Sequence, residues 1–445
     1  MKKNNRHPLI MGTLILTATG FISRIIGFFY RIYLSRLFGE EGMGIYQLLS
    51  PVLSLSFSLT AAGYQTAISK LVAERTATDR SHSFRPMFAG LSISLPLSLI
   101  CNGIIYFYSD FIAGSLLGEP RTAVMLKVLS FSIPLSAVHS CVNGYFYGIK
   151  KAGIPAVSQL VEQMVRVVCV YLFTGYCFSI GREPAIGVAV LGLAVGEFFS
   201  MIVSIIAICL CMHRVPSPVH ILHQLHHRSI YRPLLQMALP LTANRIVLNF
   251  LQSIESVSIP AKLRLYGYDN TTALSVYGVL TGMAMPLIFF PNALTGSVSV
   301  LLLPIISESY ALGDMKAVRS ATKRTIKYCG GMGLACMLGF LLLGRWMGTF
   351  LFDSALAGHF ITTLGFICPF LYLDMTLSSI LQGLGMAGHI FVMNMLSLII
   401  RLAFVFWAVP IYGITGYLWG MLASQLIQAA LYLGCLYRFL KKHHA

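Results

Sequence analysis

Charged residues are scarce in this sequence. Only 11% of its 445 residues are Asp, Glu, Lys or Arg, about half the share of a typical soluble domain. Hydrophobic residues make up 56%, more than a soluble chain of this length could bury, whereas lipid can cover them. The apolar runs are continuous over about 18 residues or more, while barrel strands alternate over about ten. The composition therefore favours an all-α membrane protein.

Recognisable catalytic and metal-binding motifs are also missing. The sequence has no Walker A, HExxH or GxSxG motif and no CxxC pair. The ten cysteines lie mainly within apolar segments, which is typical of packing residues rather than metal ligands. We therefore expect no enzymatic activity, no metal and no cofactor. Any work done by the protein would draw its energy from Na⁺, H⁺, the membrane potential or a substrate's own gradient.

Twelve apolar segments are long enough to cross a membrane as helices. They are predicted at residues 9–36, 43–70, 84–108, 121–148, 153–180, 184–213, 233–259, 273–306, 316–344, 355–383, 387–410 and 414–438. With the N-terminus inside, twenty Lys and Arg residues fall on the cytoplasmic side and six outside. Because cytoplasmic loops are enriched in these residues, we expect both termini in the cytoplasm and a location in the cytoplasmic (inner) membrane. The net charge of +17 then indicates membrane topology rather than nucleic-acid binding.

An internal repeat divides the chain into two halves. At an offset of 235 residues, the following positions coincide: Pro134 with Pro369, Gly148 with Gly383, Ala152–Gly153 with Ala387–Gly388, Val157 with Val392, and Arg166 with Arg401. Each half holds six predicted spans, so both halves enter the membrane from the same side. We therefore predict two six-helix lobes, residues 1–213 and 233–445, related by a pseudo-twofold axis along the membrane normal.

The two predicted lobes are joined by a basic cytoplasmic linker, residues 214–232. It contains four histidines: His220, His223, His226 and His227. A metal site is one interpretation of this stretch, and a basic segment lying on anionic headgroups is the favoured one.

Arginines inside the spans are the strongest functional signal. A charge at the centre of a spanning helix costs about 2.5–3.5 kcal/mol on insertion, so it usually faces a partner or a wet cavity. Arg24 lies about 22 Å into the first predicted span and Arg245 about 18 Å into the seventh; Arg31 follows Arg24 by two turns on the same face. Guanidinium groups bind pyrophosphate in a bidentate manner and repel cations. We predict that these three arginines bind an anionic substrate.

Other polar residues within the spans are weaker candidates. Glu162 and Arg166 are four residues apart on one helix and are predicted to neutralise each other; Glu197 is a further acid within a span. Four side chains supply oxygen atoms that could hold a proton or Na⁺ during ion coupling: Asn244, Glu255, Asp374 and Asn394.

Several motifs carry a resemblance to a known family. They are SRIIGFFYR at 23–31, LFGEEGMGIY at 37–46, AISKLVAE at 67–74, GIKKAG at 148–153 and LPIISE at 303–308. Together they resemble the polysaccharide-exporter branch of the MOP superfamily, including its sporulation members. The resemblance implies a V-shaped pair of six-helix lobes with a central cavity of alternating access and lipid-linked saccharides as substrates. In the sporulation members it also implies a role in making spore-cortex peptidoglycan.

The lipid II flippases related to this branch have a cationic cavity with two arginines on the first helix, which Arg24 and Arg31 match by motif. Here the two arginines are one residue further apart than in those flippases. The chain also has about twelve predicted spans, where the flippases and many sporulation relatives have fourteen.

Three functions are compatible with these observations. The favoured one is a flippase or exporter that moves an undecaprenyl-pyrophosphate-linked saccharide by alternating access, with membrane lipids and cell-wall synthesis proteins as candidate partners. A multidrug antiporter of the same fold would need an acidic cavity. A membrane scaffold for cell-wall synthesis, without transport, would keep its function after loss of the cavity arginines.

Overall fold

The computed structural model describes residues 6–79, 84–212 and 230–442, and all its regular elements are helices. The α-helices are α1 Arg6–Leu48, α2 Ser50–Phe57, α3 Gly63–Asp79, α4 Arg85–Phe107, α5 Ser109–Phe111, α6 Thr122–Ser130, α7 Ser132–Gly148, α8 Gly153–Ser179, α9 Gly187–Met212, α10 Tyr231–Tyr266, α11 Asn270–Gly278, α12 Met285–Phe289, α13 Asn292–Ala311, α14 Met315–Phe352, α15 Ala355–Gly365, α16 Cys368–Gly383, α17 Ala387–Trp407, α18 Val409–Tyr412 and α19 Ile414–Lys442. Three π-helical turns lie between them, at Ser58–Ala62, Ile112–Leu116 and Val279–Ala284. The predicted all-α class is confirmed.

The helices have the length and apolarity of membrane spans. Within the described residues ten of them qualify, or eleven when the bent pair α15 and α16 is taken as one span. The first, Ala18–Thr76, contains 59 residues, about 90 Å if it were straight, far beyond the ~30 Å of a hydrocarbon core. It includes most of the first predicted span and all of the second, and it has non-helical backbone angles at Gly39. The protein is therefore a multi-pass membrane protein.

The chain divides into two compact units, and the division runs through helices. Unit 1 is formed by the residues up to Tyr30 together with Leu48–Ser253, and unit 2 by Arg31–Gln47 together with residues from Ile254 onward. Both α1 and α10 are thus shared between units. The predicted lobes 1–213 and 233–445 stay a prediction. The predicted linker lies outside the described residues except for 230–232.

Unit 1 has its core between α3, α4, α7 and the start of α10. Tyr145, Phe146 and Ile68 are fully buried there, together with Leu234 of α10. The close fit of α10 depends on a glycine: a Cβ at Gly63 would stand 1.9 Å from the hydroxyl oxygen of Thr242. The first part of α10 therefore packs as an integral helix of unit 1.

Unit 2 has its core between α13, α16 and α19, around Ile306, Leu377, Ile380 and Tyr432. The segment from Arg31 to Gln47 is held in this unit by specific contacts. Arg36 donates through Nε to the carbonyl of Leu351 at 2.9 Å, which satisfies a carbonyl in the last turn of α14.

A second contact of this segment is made after the break in α1. Gly39 has a φ of +68°, a left-handed conformation that glycine adopts without a steric cost. Beyond the break, the carboxylate of Glu40 accepts a hydrogen bond from the hydroxyl of Ser354. The same Ser354 hydroxyl caps α15 by accepting from the amide of Ala357 at 3.0 Å. The segment after Gly39 thus contacts the start of α15.

Candidate functional site

The three predicted substrate-binding arginines are distributed over both units. Arg24 on α1 and Arg245 on α10 belong to unit 1, and Arg31 belongs to unit 2. The side chains of Arg24 and Arg245 are exposed, and Arg31 is partly buried. Within the described part of the chain, no ion pair involves Arg24 or Arg245. Two guanidinium groups in apolar segments are therefore available to an anion, while the predicted three-arginine site stays a prediction.

A second group of charged side chains lies, mostly buried, where α7, α8 and α9 of unit 1 meet. We call His139, Glu162, Arg166 and Glu197 the buried charge cluster. The Glu162 carboxylate accepts a charge-assisted hydrogen bond from the Arg166 guanidinium, so the predicted pairing is confirmed. His139 Nδ1 lies 3.5 Å from Oε2 of Glu197. The exposed fraction of these side chains is between 11% and 17%.

Glycines bring α9 close enough to α8 to form the cluster. A Cβ at Gly196 would lie 2.8 Å from the carbonyl oxygen of Glu162, and one at Gly192 would lie 2.4 Å from the side chain of Val170. Because real Cβ atoms do not come so near, only glycine permits this separation of the helix backbones. Glu197, next to Gly196, is thereby placed beside α8.

A chain of serine hydroxyls begins at the histidine of the cluster. Ser200 Oγ lies 2.9 Å from His139 Nδ1 and 2.7 Å from Ser158 Oγ. Ser158 Oγ is also 3.2 Å from Ser204 Oγ. All three serines are buried. Because a hydroxyl can both donate and accept, this group can satisfy His139 in either protonation state.

A cavity of about 270 Å³ opens beside the cluster. Arg166 and Glu197 form its charged part. Three serines and four apolar residues form the rest: Ser54, Ser132, Ser136, Leu53, Phe57, Ile133 and Leu193. A space of this size with several polar groups in its walls can hold water molecules.

Unit 2 contains a different ion pair around Glu255, one of the predicted ion-coupling residues. Glu255 on α10 pairs with Arg401 on α17, with 3.0 Å between Oε2 and Nη2. Its other carboxylate oxygen accepts a 2.9 Å hydrogen bond from the hydroxyl of Tyr417. Glu255 is 5% exposed, so its charge is neutralised inside the unit.

The other predicted ion-coupling residues have contrasting surroundings. Asp374 on α16 is buried, and neither carboxylate oxygen has a hydrogen-bond partner among the described residues. Asn394 accepts from Tyr432 at 2.7 Å and from Gln428 at 2.8 Å. Asn244 is exposed, next to Arg245. Their role in ion coupling stays a prediction.

Sequence reasoning overlooked His139 and treated Glu197 only as a further acid within a span. Both are polar residues within apolar spans, and this pattern could have marked them as functional. They are separated by 58 positions along the chain, however. No local spacing connects residues that only the packing of α7 against α9 brings together. Among the described residues, no group of three or more His, Cys, Asp or Glu is arranged to hold a metal ion.

The fold and these sites can now be compared with known proteins. The family model described as polysaccharide biosynthesis protein matches residues 9–310. The chain belongs to this family. The predicted resemblance to polysaccharide exporters is thereby confirmed.

Individual members and structures give the same result. Stage V sporulation protein B of Bacillus subtilis is 29% identical over 96% of this chain and 83% of its own length. Lipid II flippase MurJ of the same organism is 24% identical over 78% of this chain and 66% of its own. A multidrug resistance MATE transporter of the MOP superfamily, solved in an inward-facing conformation, has a TM-score of 0.71 at 18% identity, covering 95% of this chain and 96% of that one. The family member described here therefore has the MOP transporter fold.

Proposed function

We propose that this protein is a flippase, not an enzyme, that moves an undecaprenyl-pyrophosphate-linked saccharide across the cytoplasmic membrane, with both termini in the cytoplasm. Membership of the polysaccharide biosynthesis family supports a saccharide-linked substrate. Similarity to a relative named as a lipid II flippase supports a lipid-linked one. A cell-wall or spore-cortex precursor fits both relatives by name.

The observation that carries this proposal is the contrast between free and paired arginines. Arg166 and Arg401 have carboxylate partners inside their units, whereas Arg24 and Arg245 are exposed and take part in none of the ion pairs of the described residues. An unpaired guanidinium in an apolar span is costly unless a ligand or water compensates it. A pyrophosphate supplies two negative groups that match the planar fork of arginine.

The multidrug and scaffold alternatives make different demands on these arginines. A carrier of lipophilic cations would be hindered by unpaired guanidinium groups, and a scaffold would not need them. Export of cationic drugs by the wild-type protein would support the first alternative. Retained cell-wall synthesis after loss of the arginines would support the second.

Arg24 provides the direct test. In proteoliposomes containing defined lipid-linked saccharides, Arg24→Ala should abolish flipping while membrane abundance and thermal stability stay at wild-type values. Arg24→Lys should rescue only partly, because an ammonium keeps the charge but loses the planar fork. Arg319, an exposed arginine at the start of α14, provides the control, and Arg319→Ala should flip like the wild type. Wild-type flipping by Arg24→Ala would refute the substrate role of this residue.

A further inference from the structure

The charges of the buried charge cluster do not balance. Glu162 and Glu197 are two carboxyl groups, Arg166 is one permanent cation, and His139 is neutral unless it binds a proton. With both acids ionised and a neutral histidine, the cluster holds one excess negative charge. An uncompensated charge in a mostly buried environment is unfavourable, and binding a proton would remove it.

The excess charge is located at Glu197. Arg166 and Glu162 are already joined as neighbours on one helix, while Oε2 of Glu197 is buried without a hydrogen bond. The nearest group that can take up a proton is His139, 3.5 Å away. An imidazole ring can bind and release a proton, so Glu197 and His139 can exchange one.

Apart from Arg166, which faces both carboxyl groups, the helices around this pair supply no cation among the described residues. The walls formed by α2 and the first turns of α7 contribute serine hydroxyls and apolar groups. On α6, which also packs against α9, Lys127 pairs with Asp110 at 3.3 Å and both side chains are exposed. On α8, Arg166 is bound to Glu162. A proton is therefore the cation that these side chains can accept.

Both protonation states can be accommodated without rebuilding the site. When Nδ1 of His139 carries a proton, it can donate toward Ser200; when it does not, the hydroxyl of Ser200 can donate to it. Ser158 and Ser204 extend this chain of hydroxyls. The cavity lined by Glu197 and Arg166 gives water, and hence protons, a place beside the carboxyl group.

We infer that the buried charge cluster of unit 1 binds one exchangeable proton, held between Glu197 and His139, and that this proton couples transport to an ion gradient. The binding site stands on the geometry of unit 1 alone. The coupling rests on the flippase function proposed above. The two parts are therefore tested by different measurements.

Proton binding is measured on the purified protein without substrate. In a potentiometric difference titration between about pH 5 and 8, the wild type should release about one proton more per chain than Glu197→Gln. Neutralising Glu197 removes the excess negative charge, so a proton on His139 is no longer stabilised in that range. Glu197→Asp, which restores the carboxyl group, should recover the missing proton.

Glu74 provides the matched control, because it is an acid whose side chain is 52% exposed. Glu74 takes no part in the buried charge cluster, so Glu74→Gln should release as many protons as the wild type between about pH 5 and 8. Equal curves for the wild type and Glu197→Gln would overturn the proton site. So would a wild-type curve that changes when Na⁺ replaces choline, because Na⁺ would then be the bound cation.

Coupling is measured in proteoliposomes with an imposed pH gradient. The gradient should accelerate flipping by the wild type and Glu74→Gln, and it should have no effect on Glu197→Gln. Flipping by Glu197→Gln that still responds to the gradient would overturn the coupling role. If no lipid-linked saccharide is flipped even by the wild type, the proposed function fails while the titration still decides the proton site.

Discussion

Arg166 in unit 1 and Arg401 in unit 2 occupy matched positions of the internal repeat, yet they are neutralised in different ways. Arg166 pairs with Glu162, one turn earlier on its own helix. Arg401 pairs with Glu255, which lies on α10 and is bound by Tyr417 of α19 as well. The repeat has therefore kept the arginine while its carboxylate partner has changed from a local to a distant one.

Backbone contacts have changed less than these side-chain partners. A Cβ at Gly148 would lie 2.7 Å from the carbonyl oxygen of Ser69, and one at Gly383 would lie 3.0 Å from that of Leu303. Each of these glycines ends a helix that packs closely on an earlier helix of its own unit. The comparison indicates that helix packing is the shared framework and that the charged residues on it diverged to serve separate roles.

The largest loss of folding stability expected from this comparison is that of a Glu255 substitution. Glu255→Gln would leave the guanidinium of Arg401 buried without its counter-ion, and removal of one partner of a buried ion pair costs about 3–5 kcal/mol. Glu162→Gln should cost less, because Glu197 remains as a second carboxylate beside Arg166. Unfolding of both variants in detergent measures the difference.

A double variant, Glu255→Gln with Arg401→Met, serves as the control for that experiment. Removing both charges should recover much of the lost stability, because no unpaired charge remains. Equal losses for Glu255→Gln and Glu162→Gln would contradict the different roles assigned to the two pairs.

A smaller loss of stability is expected when the matched glycines Gly148 and Gly383 are replaced by alanine. Adding a methyl group to a packed contact costs about 1–3 kcal/mol. Gly148→Ala should cost more than Gly383→Ala, because its Cβ would meet Val72 and Ser69 at 2.6–2.8 Å, against 3.0 Å at Gly383. The melting temperatures of the two variants check this order. Gly331 has open space around its Cβ position, so Gly331→Ala serves as the control and should not be destabilising. A larger loss for Gly383→Ala than for Gly148→Ala would show that the contacts around the two glycines relax differently.

The smallest effect concerns His139 and Asp374, which also stand 235 residues apart. His139→Ala would remove a hydrogen bond with Ser200, worth about 0.5–1.5 kcal/mol. Asp374→Asn should leave stability unchanged or raise it, since the carboxylate has no hydrogen-bond partner within the described residues and a buried charge is unfavourable. Chemical unfolding of each variant at neutral pH tests the contrast. A strong loss of stability in Asp374→Asn would mean that a bound cation compensates the carboxylate.

Local patterns in the sequence predicted most of the fold and little of the polar interior. Apolar length located the helices, and the spacing of four residues predicted the pair of Glu162 and Arg166. The pair of Glu255 and Arg401 joins residues 146 positions apart, and no local spacing encodes such a contact. The unpaired state of Arg24 also depends on which acids the folded chain brings near it. Only packing supplies that information.

Glu162, Arg166 and Glu197 were recognised as charged residues within spans, but the sequence did not group Glu197 with the other two. Glu197 became a member of a cluster only because Gly192 and Gly196 allow α9 to approach α8. A sequence shows glycines at helical spacing without showing which helix they face. The division of α1 and α10 between the units was unpredicted for the same reason.

The hydrogen bond between Arg36 and Leu351 has a consequence for how the protein is made. Its two residues are separated by 315 positions. At a synthesis rate of about 5–20 residues per second, Arg36 emerges from the ribosome roughly 16–60 s before its acceptor exists. During that interval the segment from Arg31 to Gln47 has been inserted without the unit to which it belongs. This hydrogen bond can therefore form only after translation has passed Leu351, at the end of α14.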